Sequence, residues 1–190
     1  MDQLFFMTED KLELLVIEGT AREGRKSIRP ALYVTRKLNS RGHDTELFDL
    51  ADREIPMLEH TRYSDNDKHP EDIEEFGQKV EKADGLVVVS PEYNHSIPGS
   101  LKNLLDHLYP EYNDKPFSFV TVSGGSFGGV RALSHLHDVA LEFGGNIGPD
   151  IPVSNVGSTF NEEGELEDDN YIDRFESFLD DVEEHTARYS

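Results

Sequence analysis

Four times along this chain of 190 residues, a short apolar run gives way to a segment whose apolar residues recur every three or four positions. The runs lie at residues 12–17, 43–50, 86–90 and 117–122, the second of them alternating apolar with polar. The helical patterns follow as Ile28, Ala31, Leu32, Thr35, Leu38; then Ile73, Phe76, Val80; then Leu101, Leu104, Leu105, Leu108; and then Val130, Leu133, Leu136, Ala140, Phe143. Gly42 and the pair Gly144-Gly145 serve as helix stops. Strands alternating with helices predict a parallel sheet covered on both faces, with right-handed crossovers. A fifth strand is expected at residues 151–156, weakened by Pro149 and Pro152 because proline cannot donate to a ladder. A glycine turn at 161–165 leads to a last helix with Tyr171, Ile172, Phe175, Phe178, Leu179 and Val182 on its apolar face.

Five such strands fit a flavodoxin-like three-layer α/β sandwich in the order 2-1-3-4-5. In that order ligands bind beyond the carboxyl ends of the strands, where the order reverses between strands 1 and 3. The loops after strands 1, 3 and 4 are rich in Gly, Ser and Pro, and all three converge on that edge. Residues 51–70, by contrast, carry little pattern, which marks a loop that is either disordered or functional.

The loop after strand 1 combines Gly19, Thr20, Arg22, Gly24 and Arg25 with a helix start at Ser27, expected to act as its cap. Free amides, the positive end of a helix dipole and two arginines make an anion site. The loop lacks the Gly-Lys-Ser/Thr ending of a Walker loop and the GxGxxG fingerprint, which argues against ATP and a Rossmann-bound dinucleotide. After strand 3, Pro91-Glu92-Tyr93-Asn94-His95-Ser96-Ile97-Pro98-Gly99 brings a flat π-face at Tyr93, with donors and acceptors at Asn94 and Ser96. After strand 4, Ser123, Gly124 and Gly125 offer backbone amides with no side chain in the way. A phosphate site at one end and a planar platform at the other describe a mononucleotide, and FMN suits this switch point better than AMP or GMP. The tetrapeptide Pro-Glu-Tyr-Asn recurs at residues 110–113 between a helix and a strand, so that copy is expected at the opposite edge of the sheet.

Composition narrows the field further. The chain carries 39 acidic and 18 basic residues, a formal charge of -21, spread along its length as an acidic surface of the kind halophiles use. Such a field repels nucleic acid and anionic membranes. No apolar run is long enough to cross a bilayer, and residues 1–7 lack the basic start of a signal peptide, so a cytoplasmic, soluble protein is expected. The expected organisation is one domain over residues 1–190, with residues 1–10 as an N-terminal extension. Without cysteine there is no disulfide, thiolate nucleophile or thiolate metal site. No metal site is expected: His135 and His137 point to different faces of one helix, and residues 161–169 lack EF-hand spacing. No Gly-x-Ser-x-Gly elbow supports a serine hydrolase.

Gly19-Thr20-Ala21-Arg22-Glu23-Gly24-Arg25 resembles the phosphate loop of the NADPH-dependent FMN reductase family. Residues 91–103 resemble its flavin loop, and Ser123-Gly124-Gly125 through Arg131-Ala132 its third signature. Thr20 stands where Ser is commoner and keeps the hydroxyl; Glu18 departs from the family's small or apolar residue. The resemblance, which extends over residues 14–143, implies bound FMN, NAD(P)H as hydride donor, a small acceptor such as a quinone or flavin, and a homodimer or homotetramer. It implies phosphate binding by Thr20, Arg22, Arg25 and Ser27, and ring binding by Pro91, Glu92, Tyr93, Asn94, Ser123, Gly124 and Gly125. The FMN supplies the redox chemistry, so no catalytic acid or base is assigned. An FMN electron carrier that does not use nicotinamide, and a non-catalytic flavin-binding module, are the competing expectations.

Overall fold

The structure, a computed structural model, describes residues 11–64 and 69–190; the expected N-terminal extension lies outside them. Its sheet has five parallel strands, β1 (Glu13–Glu18), β2 (Asp44–Asp49), β3 (Gly85–Pro91), β4 (Pro116–Val122) and β5 (Asn146–Val153). Their order is β2-β1-β3-β4-β5, the flavodoxin-like arrangement that the alternating pattern predicts.

Alternation along the strands divides the interior in two, because successive side chains leave a strand on opposite faces. Leu15, Ile17, Leu86, Val88, Phe117 and Phe119 face α2 (Glu71–Lys82), α3 (Gly99–Asp106) and α4 (Val130–Glu142). Leu14, Val16, Val87, Val89, Val120 and Val122 face α1 (Ile28–Ser40) and α6 (Ile172–Tyr189), with the short α5 (Val156–Thr159) packed nearby. The second Pro-Glu-Tyr-Asn copy forms a turn of 3-10 helix ahead of β4, at the amino edge. Its Tyr112 is fully buried and stacks on Phe143 with ring centroids 4.5 Å apart.

The structure corrects several expectations. β5 begins at Asn146 and contains both Pro149 and Pro152. It pairs with β4 alone, so an unpaired edge accommodates the missing donors, and its register slips between Phe117 and Phe119 of β4. Val130 and Ile172, expected on apolar faces, are 40% and 44% exposed; each is the first residue of its helix. Ser27 makes no side-chain cap to α1, because its backbone is already helical and its hydroxyl is directed elsewhere.

The stretch 51–64 is anchored by two arginines. Arg53 bonds to Asp72 and Glu75 on α2, and its guanidinium lies over Phe48. The Arg62 amide donates to the His107 carbonyl at 2.8 Å, and its guanidinium reaches Glu74, Glu81 and Glu111 at 3.1, 2.6 and 2.6 Å. That side chain lies directly over Gly77, where an added Cβ would come within 2.6 Å of the guanidinium carbon. Gly→Ala in an open helix interior gains about 1 kcal/mol. Here Gly77→Ala should instead lower stability, and the usual gain should return only in an Arg62→Ala background, as read by urea unfolding of the two single variants and the double variant.

Candidate functional site

β1, β3 and β4 end as neighbours in the sheet, so the loops that follow them rise side by side. The first is held from below. The Gly19 amide donates to the Val89 carbonyl at 2.9 Å, and Ser100 Oγ on α3 donates to the Gly19 carbonyl at 3.2 Å. Any Cβ at Gly19 would lie 2.8 Å from Leu101 Cδ2 and 3.0 Å from the Val89 carbonyl, so this approach requires glycine. Beyond it, Thr20 Oγ1 and Arg22 Nε converge on the Tyr93 hydroxyl at 3.1 and 2.9 Å, joining the first loop to the second. The amides of Ala21, Glu23 and Gly24 have no intrachain partner among the described residues. The Arg22 guanidinium bonds only to the Tyr93 hydroxyl and the Glu23 carbonyl, with no carboxylate partner among the described residues.

The second loop is a built platform. Tyr93 and Ser96 exchange backbone hydrogen bonds of 2.9 and 3.0 Å around Asn94 and His95, whose φ values of 51° and 65° make a left-handed two-residue turn. Glu92 accepts from the Arg131 amide at 3.2 Å and lies 3.6 Å from its guanidinium, which fixes the loop to the positive end of α4. Ser96 Oγ lies 2.8 Å from His135 Nδ1 on the same helix. In the third loop, Ser123 Oγ accepts from the Gly128 amide and donates to the Gly125 carbonyl, each at 2.9 Å. Gly124 and Gly125 border open space, with no atom within 4 Å of where a Cβ would stand.

Beneath the first loop sits a cluster that periodicity alone does not predict. Glu18 ends β1 and is in register with Asp49, which ends β2, so two carboxyl groups lie side by side at the sheet's edge. Glu18 is fully buried; Oε2 accepts from the Thr20 amide at 3.0 Å, and Oε1 accepts from the Ser27 hydroxyl. Arg25 lies between the acids, its Nε 3.4 Å from Glu18 Oε2 and its guanidinium bonded to Asp49. That Nε is buried and makes no hydrogen bond. Burial pushes the Glu18 carboxyl up to about 7, against the lowering effect of Ser27, Thr20 and Arg25; the neighbouring Asp49 adds to the rise.

All the residues singled out by sequence therefore lie on the three convergent loops, but in two groups. Thr20, Arg22, Pro91, Glu92, Tyr93, Asn94, Ser96, Ser123, Gly124 and Gly125 surround the open edge, whereas Arg25 and Ser27 turn inward to Glu18 and Asp49. Sequence reasoning missed Asp49, whose role depends on strand register, and Ser100, Arg131 and His135, which stand within or just beyond the quoted motifs. Among the described residues no cluster of three metal-ligating side chains occurs. His135 faces Ser96, while His137 packs on Phe119 near Asp150.

Folded Glu18 holds its proton to about pH 7, whereas the unfolded group loses it near its ordinary 4.5. Unfolding therefore releases a proton in that window, and the stability attached to this group falls as pH rises through it. Arg25→Ala removes the cation that offsets this. The variant should lose about 3 kcal/mol above pH 7, where Glu18 is ionised, and less near pH 5, where it holds its proton, as urea titrations at the two pH values would report.

Comparison with known proteins agrees with this geometry. The sequence profile described as NADPH-dependent FMN reductase matches residues 12–157. An NADPH azoreductase of Bacillus sp. (strain OY1-2) is 33% identical over 127 residues, covering 66% of this chain and 67% of that protein. An NAD(P)H-dependent FMN reductase of Pseudomonas aeruginosa is 32% identical over 166 residues, covering 84% and 87%. Among solved structures, FerB, a flavoenzyme NAD(P)H:(acceptor) oxidoreductase from Paracoccus denitrificans, superposes with a TM-score of 0.76 at 20% identity, covering 94% of this chain and 98% of that one. With three motif loops meeting at the strand-order reversal and a matching profile over most of its length, the chain belongs to the NADPH-dependent FMN reductase family.

Proposed function

We propose that the protein is an FMN-dependent NAD(P)H oxidoreductase that delivers electrons to a small acceptor such as a quinone, a free flavin or an azo compound. The observation that carries this reading is Arg22: in a chain with 39 acids it has no carboxylate partner among the described residues, and it stands beside unpaired amides on the loop that ends β1. An exposed guanidinium and free N–H groups fit a phosphate. The open backbone at Gly124 and Gly125, on the loop after the strand next to β3, and the fixed Tyr93 turn fit a flat ring system. When bound, FMN supplies the hydride chemistry.

In this reading Gly19, Thr20 and Arg22 hold the phosphate directly, Arg25 shapes the loop from beneath, and Ser27, engaged by Glu18, is a further donor to it. Pro91, Glu92, Tyr93, Asn94, Ser96, Ser123, Gly124 and Gly125 border the ring. The chain's contribution is orientation: the Glu92–Arg131 contacts and the Tyr93–Ser96 turn keep the platform in one geometry before a ligand arrives. No side chain is assigned as a general acid or base. The reading includes one domain, a homodimer or homotetramer and a cytoplasmic setting; the formal charge of -21 supports a high-salt one.

The test is anaerobic. Protein reconstituted with FMN and mixed with NADPH should lose its yellow colour rapidly and regain it when a quinone is added. A colour that persists would instead identify an electron carrier without nicotinamide-dependent activity. Separately, Arg22→Ala should weaken FMN binding by roughly 1.5–3 kcal/mol while leaving riboflavin, which lacks the phosphate, nearly unaffected. Equal losses for both ligands in fluorescence titrations would remove Arg22 from the phosphate.

A further inference from the structure

Glu18 is the last residue of β1, directly beneath the loop assigned to the cofactor's phosphate. Its carboxyl group is fully buried and occupies two donors of the kind that loop would present to an anion, the Thr20 amide at 3.0 Å and the Ser27 hydroxyl. It also draws in Arg25, the loop's other arginine, whose Nε lies 3.4 Å away. The charged groups facing Glu18 are Arg25, from the loop, and Asp49, from β2. β3 presents Val89 and its carbonyl, and α3 presents Leu101 and the Ser100 hydroxyl beside Gly19; none of these titrates. Above the cluster, Thr20 connects it to Tyr93 and Arg22.

We propose that Glu18 is a positioning residue that makes cofactor capture proton-coupled: ionised, it keeps the Ser27 hydroxyl for itself, and protonated, it releases that hydroxyl to the phosphate. The proposal rests on the reading that this loop holds the phosphate of FMN. A carboxylate only accepts, so it fixes the Ser27 proton upon itself. A protonated carboxyl can donate its own O–H to Ser27 Oγ, which frees the Ser27 proton to turn into the loop. The proton comes from solvent, and no other bond forms or breaks. An arriving dianion disfavours the ionised carboxylate below it, so the proton is taken up as the cofactor binds. The carboxyl titrates near neutrality, which puts the effect in an accessible range.

Proton linkage is what a merely structural Glu18 would not produce. The second ionisation of the cofactor's phosphate lies near 6, so at about pH 7.5 the free ligand is already almost fully dianionic and takes up little on its own. Calorimetry of FMN binding to the wild-type protein at that pH, in two buffers of different ionisation enthalpy, should show uptake of up to one proton, and riboflavin should show none. Over the range from about pH 7 to about pH 8.5 the wild-type Kd should rise several-fold, up to about tenfold per unit, while that of Glu18→Gln stays flat. Absence of proton uptake, or equal slopes in the two proteins, overturns the proposal and leaves the phosphate assignment standing. If Glu18→Gln does not fold, the wild-type calorimetry decides alone. Failure of FMN to bind at any pH would remove the reading of the loop itself, and this proposal with it.

Discussion

The strands at the centre of this molecule are apolar on both faces, and most of its organisation follows from that. Leu14 to Ile17 and Leu86 to Val89 are buried almost completely, with helices on either side. A polar group placed midway along such a strand would have to find a partner inside the protein or bear the cost of desolvation. Chemistry is thereby displaced to the strand ends, and the crossovers decide which ends become neighbours. Because β1 and β3 are adjacent although a strand and two helices separate them in sequence, loops distant in the chain meet at one edge. The Thr20, Arg22 and Tyr93 contact, spanning more than seventy residues of chain, is the direct result.

Much of this was legible in the sequence, for identifiable reasons. The second helix is legible because Ile73, Phe76 and Val80, buried and at helical spacing, lie between Pro70 and the turn that begins β3. The strand order followed from the alternation of elements. The fifth strand, expected at 151–156, runs instead from Asn146 to Val153: Pro149 and Pro152 mask its start in the sequence, although the expected order 2-1-3-4-5 already puts it at an edge that tolerates them. The three loops were legible as motifs, but the direction of each side chain within them was not. Arg25 and Arg22 look equivalent in the sequence. They differ because strand register sets Asp49 beside Glu18, and that pair of acids captures the nearer cation.

The same scarcity of cations organises the surface. With 18 basic residues against 39 acids, several arginines act as cross-links between elements. Arg41 joins the end of α1 to Glu176, Asp180 and Glu183 of α6, and Arg62 gathers acids from α2 and from the turn before β4. Isolated surface pairs contribute little, but one half-buried guanidinium serving three carboxylates loses side-chain entropy only once for all three contacts. The stretch after β2, which has no periodicity of its own, takes its position from Arg53 and Arg62.

The acid pair at the ends of β1 and β2 also constrains the order in which this loop can change over evolutionary time. Exchanging Arg25 first would strand two adjacent carboxylates, while exchanging Asp49 first would leave Arg25 with a buried partner alone. A neutral residue arriving first at position 18 leaves an ordinary Arg25–Asp49 pair, from which either member can then drift. Relatives with the family's small or apolar residue at position 18 should therefore show positions 25 and 49 varying more freely than those that carry a glutamate there.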